Sequence, residues 1–147
     1  MSNPPGFAAR FAWEAIVEIG ERRSMGESPA GARWIIPILG GRFSGPAIRG
    51  TVVPGGADRQ LWRSDGVREL DARYELQTDD GALITVHNRV LIDDPEGPAR
   101  YAASHIDLIA PAGPHEWINR RRFVGRLRSL MPAQAAVAIG FFELHPL

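Results

Sequence analysis

The chain has 147 residues and a mass of 16.1 kDa, a length that predicts one domain around one core. Hydrophobic residues make up 44% and charged residues 23%, and 17 basic side chains balance 17 acidic ones, so no net field draws the chain to nucleic acid or to an anionic membrane. Cysteine is absent and every basic residue is arginine, which excludes disulfides, thiolate chemistry, Schiff-base lysines and phosphate-loop lysines. Arginine stays protonated and is suited to clamping a carboxylate through two parallel hydrogen bonds.

Residues 1–10 lack the basic cluster, apolar run and small-residue cleavage pattern of a secretory signal, and no stretch reaches the ~20 apolar residues that cross a bilayer. The expectation is a cytoplasmic protein with a disordered segment over 1–10 and a single domain over 11–147. Gly (16) and Pro (12) punctuate the whole chain, a spacing that suits short strands joined by turns. Phe11 to Ile19 alternates Phe11, Trp13, Ala15, Val17 and Ile19 against Glu14 and Glu18, which reads as a half-buried strand with a helix as competitor. Trp34 to Leu39 and Phe43 to Val53 follow, the second broken by Gly45, Pro46 and Gly50, where a sheet can bend into a barrel.

After the turn Pro54 to Asp58 come a short strand, Arg59 to Trp62, and then the clearest hairpin, Leu70 to Thr78 and Ala82 to Ile92 around Asp79-Asp80-Gly81. Asp93 to Ser104 predicts a loop with a helical turn over 99–104, and His105 to Ala110 a short strand. Trp117 to Gly125 predicts a strand with Trp117, Asn119 and Phe123 inward, and Ala135 to Leu144 the last one. The sum is an all-β chain of about eight to nine strands, which an antiparallel β-barrel closes without leaving edges.

Catalytic signatures are few. Ser44 lacks nucleophile-elbow spacing, the glycines at 40, 41, 45 and 50 do not open a helix, and the histidines at 87, 105, 115 and 145 form no ligand pair, so no metal is expected. The basic run Arg120 to Arg122 with Arg126 and Arg128 reads as a solvated rim. Tyr74, Asn88 and Asn119 remain, three polar side chains on inward faces. Burying each costs a few kcal/mol without a partner, so they form either a satisfied structural network or the wall of a polar lumen. Trp13 and Trp117 on the same inferred face would add flat apolar walls for an aromatic or terpenoid-sized ligand.

The run Ile36 to Pro46, the turn Pro54 to Asp58, the stretch Asp71 to Tyr74 continued through Asp79 to Ala82, and Glu116 to Arg120 fall in one order along the chain. Together they resemble the family known as domain of unknown function 3237, from about Phe11 to the C-terminus. The resemblance implies a small antiparallel barrel similar to those of allene oxide cyclases and dirigent proteins. It also implies kinship with members of bacterial pathways for aromatic compounds, including cofactor-free decarboxylation of lignin-derived acids. Two positions depart from the family: Arg59 stands where an aromatic residue often follows the turn, and Val90 where a glycine often follows the Asn88 region.

The expected function is a cofactor-independent lyase of the decarboxylase type, acting on a phenolic or aryl-substituted carboxylic acid in the lumen. Tyr74 and Asp58 would move protons, Arg59 or Arg73 would hold the carboxylate, and Trp13, Asn88, Trp117 and Asn119 would line and orient the ligand. No cofactor, nucleic acid or membrane is expected as a partner, and a homo-oligomer is compatible with the arginine-rich strand. The alternatives are an isomerase or cyclase that uses the same groups, or a non-catalytic barrel that binds a small molecule. Arg73 points opposite to Tyr74 in a regular strand, so both serve one site only across a bulge; otherwise Arg59 is the clamp.

Overall fold

The computed structural model describes residues 2–147, so Met1 lies outside the described residues. Ten strands follow in chain order: β1 (Phe7–Ile19), β2 (Arg23–Ser28), β3 (Gly31–Ser44), β4 (Arg49–Val52), β5 (Ala57–Arg63), β6 (Arg68–Thr78), β7 (Leu83–Asp93), β8 (Tyr101–Ile109), β9 (Phe123–Ser129) and β10 (Ala136–Pro146). A 3-10 helix, Glu116–Arg120, connects β8 to β9. Every pairing is antiparallel, and the path from β6 to β10 is a meander. β10 then pairs β1, and β1 pairs the C-terminal half of β3.

β2 continues β1 along the N-terminal half of β3, and β4 and β5 share the space between β3 and β6. The result is a closed eight-stranded barrel with β2 and β5 extending one end. Closure brings β1 against β3 at Gly41, where φ is +133° and an added Cβ would lie 1.9 Å from the Ile16 carbonyl oxygen. A side chain there would hold the two strands apart.

Alternation sorts the residues into a wall with two faces. In β6, Ala72, Tyr74, Leu76 and Thr78 are buried, and in β7, Ile84, Val86, Asn88, Val90 and Ile92 are buried, while the residues between them face out. The core at the far end is aromatic: Trp13 stacks on Phe141 with centroids 4.8 Å apart and meets Phe123 at 5.5 Å and Phe43 at 6.2 Å. A bulge between Phe11 and Trp13 turns Phe11 outward, half exposed and edge-on to Phe142 at 5.9 Å.

Three expectations need correction. β1 begins at Phe7 and pairs with the end of β10, so residues 7–10 are part of the sheet and not a disordered segment. Residues 101–104 open β8 where a helical turn was expected. Trp117 and Asn119 lie on the 3-10 helix, not on an inward strand face. That helix buries Ile118 under the barrel end, and Asn119 pins it there, accepting from the Ala110 N–H and donating to the Ala110 carbonyl, both at 2.8 Å. Replacing Asn119 with Ala leaves both groups of buried Ala110 without their partner. We expect a loss of about 1–2 kcal/mol in unfolding free energy, measured by urea denaturation.

Candidate active site in the barrel lumen

The inward face of β5 carries Asp58, Gln60 and Trp62 at two-residue spacing. Register extends this face across the sheet. Asp58 stands opposite Ala72, which stands opposite Asn88, while Gln60 lies in a row with Trp34, Leu70, Val90 and Ser104. Tyr74 follows Ala72 on the same face of β6. Polar side chains on β5, β6, β7 and β8 therefore form one arc, with small Ala72 between Asp58 and Asn88. Trp13, Phe43 and Phe141 belong to the aromatic part of the same interior.

The arc is held in place along β5. Trp62 donates its indole N–H to Gln60 Oε1 at 2.9 Å, which fixes the amide so that its Nε2 donates to Asp58 Oδ2 at 2.8 Å. The other carboxylate oxygen, Oδ1, is buried without a partner, as are the Tyr74 hydroxyl, Asn88 Oδ1, Ser104 Oγ and the indole nitrogens of Trp13 and Trp34. Each such group costs about 1–3 kcal/mol when left unpaired. Groups of this kind gathered in one arc mark a place where water or a ligand supplies the missing partners.

Electrostatics separates the two titratable members. Burial raises the Asp58 pKa above the usual carboxylate range, and the hydrogen bond from Gln60 offsets part of that rise. Burial, and then the charge of Asp58, push the Tyr74 phenol upward, so it stays protonated throughout the working pH range. Asp58 is thus a carboxylate of increased basicity, and Tyr74 a phenol that keeps its proton available for hydrogen bonding.

The sequence-derived candidates divide three ways. Tyr74, Asp58, Asn88 and Trp13 all face the interior. Arg59 and Arg73 do not: both are exposed on the outer face, and Arg73 lies 3.6 Å from Asp71. Neither can clamp a carboxylate in the lumen, because strand alternation turns each away from its inward neighbours Asp58 and Tyr74. Trp117 is half-buried against Phe123 at 6.4 Å, and Asn119 is spent on Ala110, so neither orients a ligand in the arc.

Several residues of the site escaped the sequence reading. Gln60 follows from the period of β5 once Asp58 is placed inward, and Ser104 was hidden by the expected helical turn. The extended end of the barrel holds another group. Trp34 and Trp62 pack at 5.3 Å; the Arg22 guanidinium lies 4.5 Å from the first ring and 4.9 Å from the second, and that of Arg68 lies 3.8 Å from Trp62. Arg59 instead lines a groove of about 1080 Å³ with Arg33, Asp71, Arg89, Leu91 and Tyr101, which Gln60 and Ser104 of the arc also border. Among the described residues no three His, Asp or Glu side chains gather in a metal-binding arrangement, and no helix is long and apolar enough to cross a membrane.

Known proteins share this architecture. A UPF0311 protein of Rhodopseudomonas palustris is 43% identical over 84 residues, 57% of this chain and 55% of that protein, so the matched part spans about half the length of the relative. The crystal structure of a conserved protein of unknown function from Rhodopseudomonas palustris superposes with a TM-score of 0.86 at 30% identity, covering 97% of this chain and all (100%) of the other. A beta-barrel like protein of Acinetobacter baumannii gives a TM-score of 0.84 at 27% identity over 99% of this chain and 100% of its own. An enzyme from Penicillium herquei shares the fold, with a TM-score of 0.73 at 24% identity over 99% and 98% of the two chains. With a barrel of the same topology, and a family model that matches residues 7–144, the chain belongs to the family described as "Protein of unknown function (DUF3237)".

Proposed function

We propose that the lumen is a proton-transfer site of the isomerase or cyclase type for a small ring-bearing molecule, with Asp58 as base and Tyr74 as acid. One observation carries this reading: Asp58 Oδ1 and the Tyr74 hydroxyl are buried without partners on neighbouring strands of the same inward face. A base that accepts a proton from carbon or hydroxyl, beside a donor that protonates the conjugated system elsewhere, moves a double bond or closes a ring with no change in mass, and return of the proton from the Asp58 carboxyl to the Tyr74 phenolate restores both groups. Asn88 and Ser104 offer further polar contacts, and Trp13 and Phe141 an apolar wall for the ring. That a protein of this fold from Penicillium herquei is described as an enzyme agrees with catalysis on such a scaffold.

The decarboxylase reading requires an arginine, Arg59 or Arg73, to hold the substrate carboxylate. With both on the outer face, a substrate carboxylate beside Asp58 would meet a like charge and no cation from either residue. Isomerase or cyclase chemistry needs no such clamp next to the proton-transfer pair.

Incubation with a panel of phenols, aryl ketones and aryl acids, followed by mass spectrometry, tests the proposal. The expected product has the mass of its substrate, whereas loss of carbon dioxide would favour the lyase. Tyr74→Phe and Asp58→Asn should each lower the rate by roughly 10²–10⁴; near-normal turnover by either folded variant would remove that residue from the mechanism.

Two stability measurements need no substrate. Tyr74→Phe deletes an unpartnered buried hydroxyl, so its Tm should equal or exceed that of the parent; a fall of several degrees would reveal a structural hydrogen bond. The raised pKa of Asp58 makes its ionised form unfavourable in the fold. Its contribution to stability is complete below the unfolded value near 3.8 and is lost as pH rises through the folded value. Asp58→Asn should therefore stabilise more at pH 7 than at pH 4, as read from urea midpoints at the two values.

A further inference from the structure

We infer that the groove beside Arg59 is a second ligand site, outside the lumen, for a linear apolar acid of the fatty-acid class. It stands independently of the lumen reading. The groove measures about 1080 Å³ and touches residues 59–61 of β5, 69–71 of β6, 89–91 of β7, 103–105 of β8 and 124–126 of β9. In each of these triplets the middle residue belongs to the inward face, so the two that flank it point outward. The groove therefore runs across the outside of the wall, and Gln60 and Ser104 border it as middle members of their triplets.

Apolar side chains form a track along the groove. Leu61, Leu91 and Ala103 stand in one row of the register from β5 to β8, interrupted on β6 by Glu69. Val124 and its partner Phe142 continue the track on β9 and β10, one outward row over. Four strand spacings of about 4.8 Å separate β5 from β9, so the track is about 19 Å long, which suits an extended acyl chain better than a single ring. Leu91 and Tyr101 beside it leave 42% and 56% of their surface in solvent, an apolar exposure that the barrel core does not require.

The charge around this track is positive and unneutralised. Arg33, Arg59, Arg89 and Arg126 line the groove, and among the described residues none of them has a carboxylate oxygen within 4.0 Å. Arg89 reaches the His87 ring instead, at 3.2 Å. The two acids of the groove are already engaged by groups that do not line it: Asp71 lies 2.9 Å from His87 and 3.6 Å from Arg73, and Glu69 lies 3.2 Å from Arg63. The four arginines come from β3, β5, β7 and β9, so the cations are spread along the groove and the whole track carries a positive field. An apolar chain ending in one carboxylate matches both features, its body on the track and its charge beside whichever arginine its length reaches.

Calorimetric titration of the intact protein with dodecanoate and with neutral dodecanol tests the inference. At low ionic strength the acid should bind about threefold to tenfold more tightly than the alcohol, as a partly exposed ion pair allows, and high salt should narrow the gap. Replacing Arg33, Arg59, Arg89 and Arg126 together by Gln should abolish that preference, and the four single variants show which arginine meets the carboxylate. Leu91→Glu, on the exposed wall, should weaken both compounds at least about tenfold, with circular dichroism showing that each variant is folded. Absence of dodecanoate binding, a preference that survives the fourfold variant, or full affinity in Leu91→Glu overturns the inference, the last because the chain then lies elsewhere, as in the lumen. Dimerisation that Leu91→Glu abolishes, with no dodecanoate bound, would assign the groove to a second copy of the chain and overturn it as well.

Discussion

The two-residue period of the strands decides every functional assignment in this barrel. A closed sheet has one interior, and alternation sends each side chain either into it or away from it, with no intermediate choice except at a bulge. Asp58 and Arg59 are neighbours in sequence, as are Arg73 and Tyr74, yet each pair is split by the wall of the barrel. The acid and the phenol therefore share a low-dielectric interior from which both adjacent arginines are removed. Had register slipped by one residue along β5 and β6, two guanidiniums would occupy the lumen, and Asp58 and Tyr74 would lie in water.

This sorting explains why the unpartnered side-chain oxygens of the interior lie along one arc. The far end is filled by Trp13, Phe43, Phe123 and Phe141, large side chains that gain from burial and demand nothing in return except, for tryptophan, one hydrogen bond. From β5 to β8 the same inward positions hold Asp58, Tyr74, Asn88 and Ser104, whose free atoms each oppose folding. Leucine or valine at these positions would give a more stable barrel by the same accounting of buried groups. The arrangement makes physical sense where a bound molecule completes the hydrogen bonds, because groups aligned during folding need no further reorganisation when charge shifts between them.

Long strands were the legible part of the sequence. β6 and β7 alternate without interruption over eleven residues each, so Tyr74 and Asn88 stand out as polar residues on an apolar face, and the interior confirms both. Short or irregular segments were not legible. The five residues Glu116–Arg120 are too few to show a helical period, and the spacing of Trp117, Asn119 and Phe123 imitates a strand across the junction of a 3-10 helix and β9. Gln60 and the pairing of Trp34 with Trp62 depend on which strand neighbours β5, which is a property of topology and not of local pattern. Arg22 and Arg68 are charged residues at strand ends, positions that sequence reasoning assigns to solvent.

The same wall resolves the tension between an acidic lumen and an arginine-rich chain. With 17 arginines and 17 acidic residues the protein is neutral as a whole, but the arc itself contains one carboxylate and no guanidinium, while Arg22 and Arg68 lie over Trp34 and Trp62 at the extended end of the barrel. A carboxylate brought into the arc would be opposed by the charge of Asp58. Alternation thus keeps Arg59 and Arg73 on the outer face and leaves Asp58 as the one carboxylate of the arc.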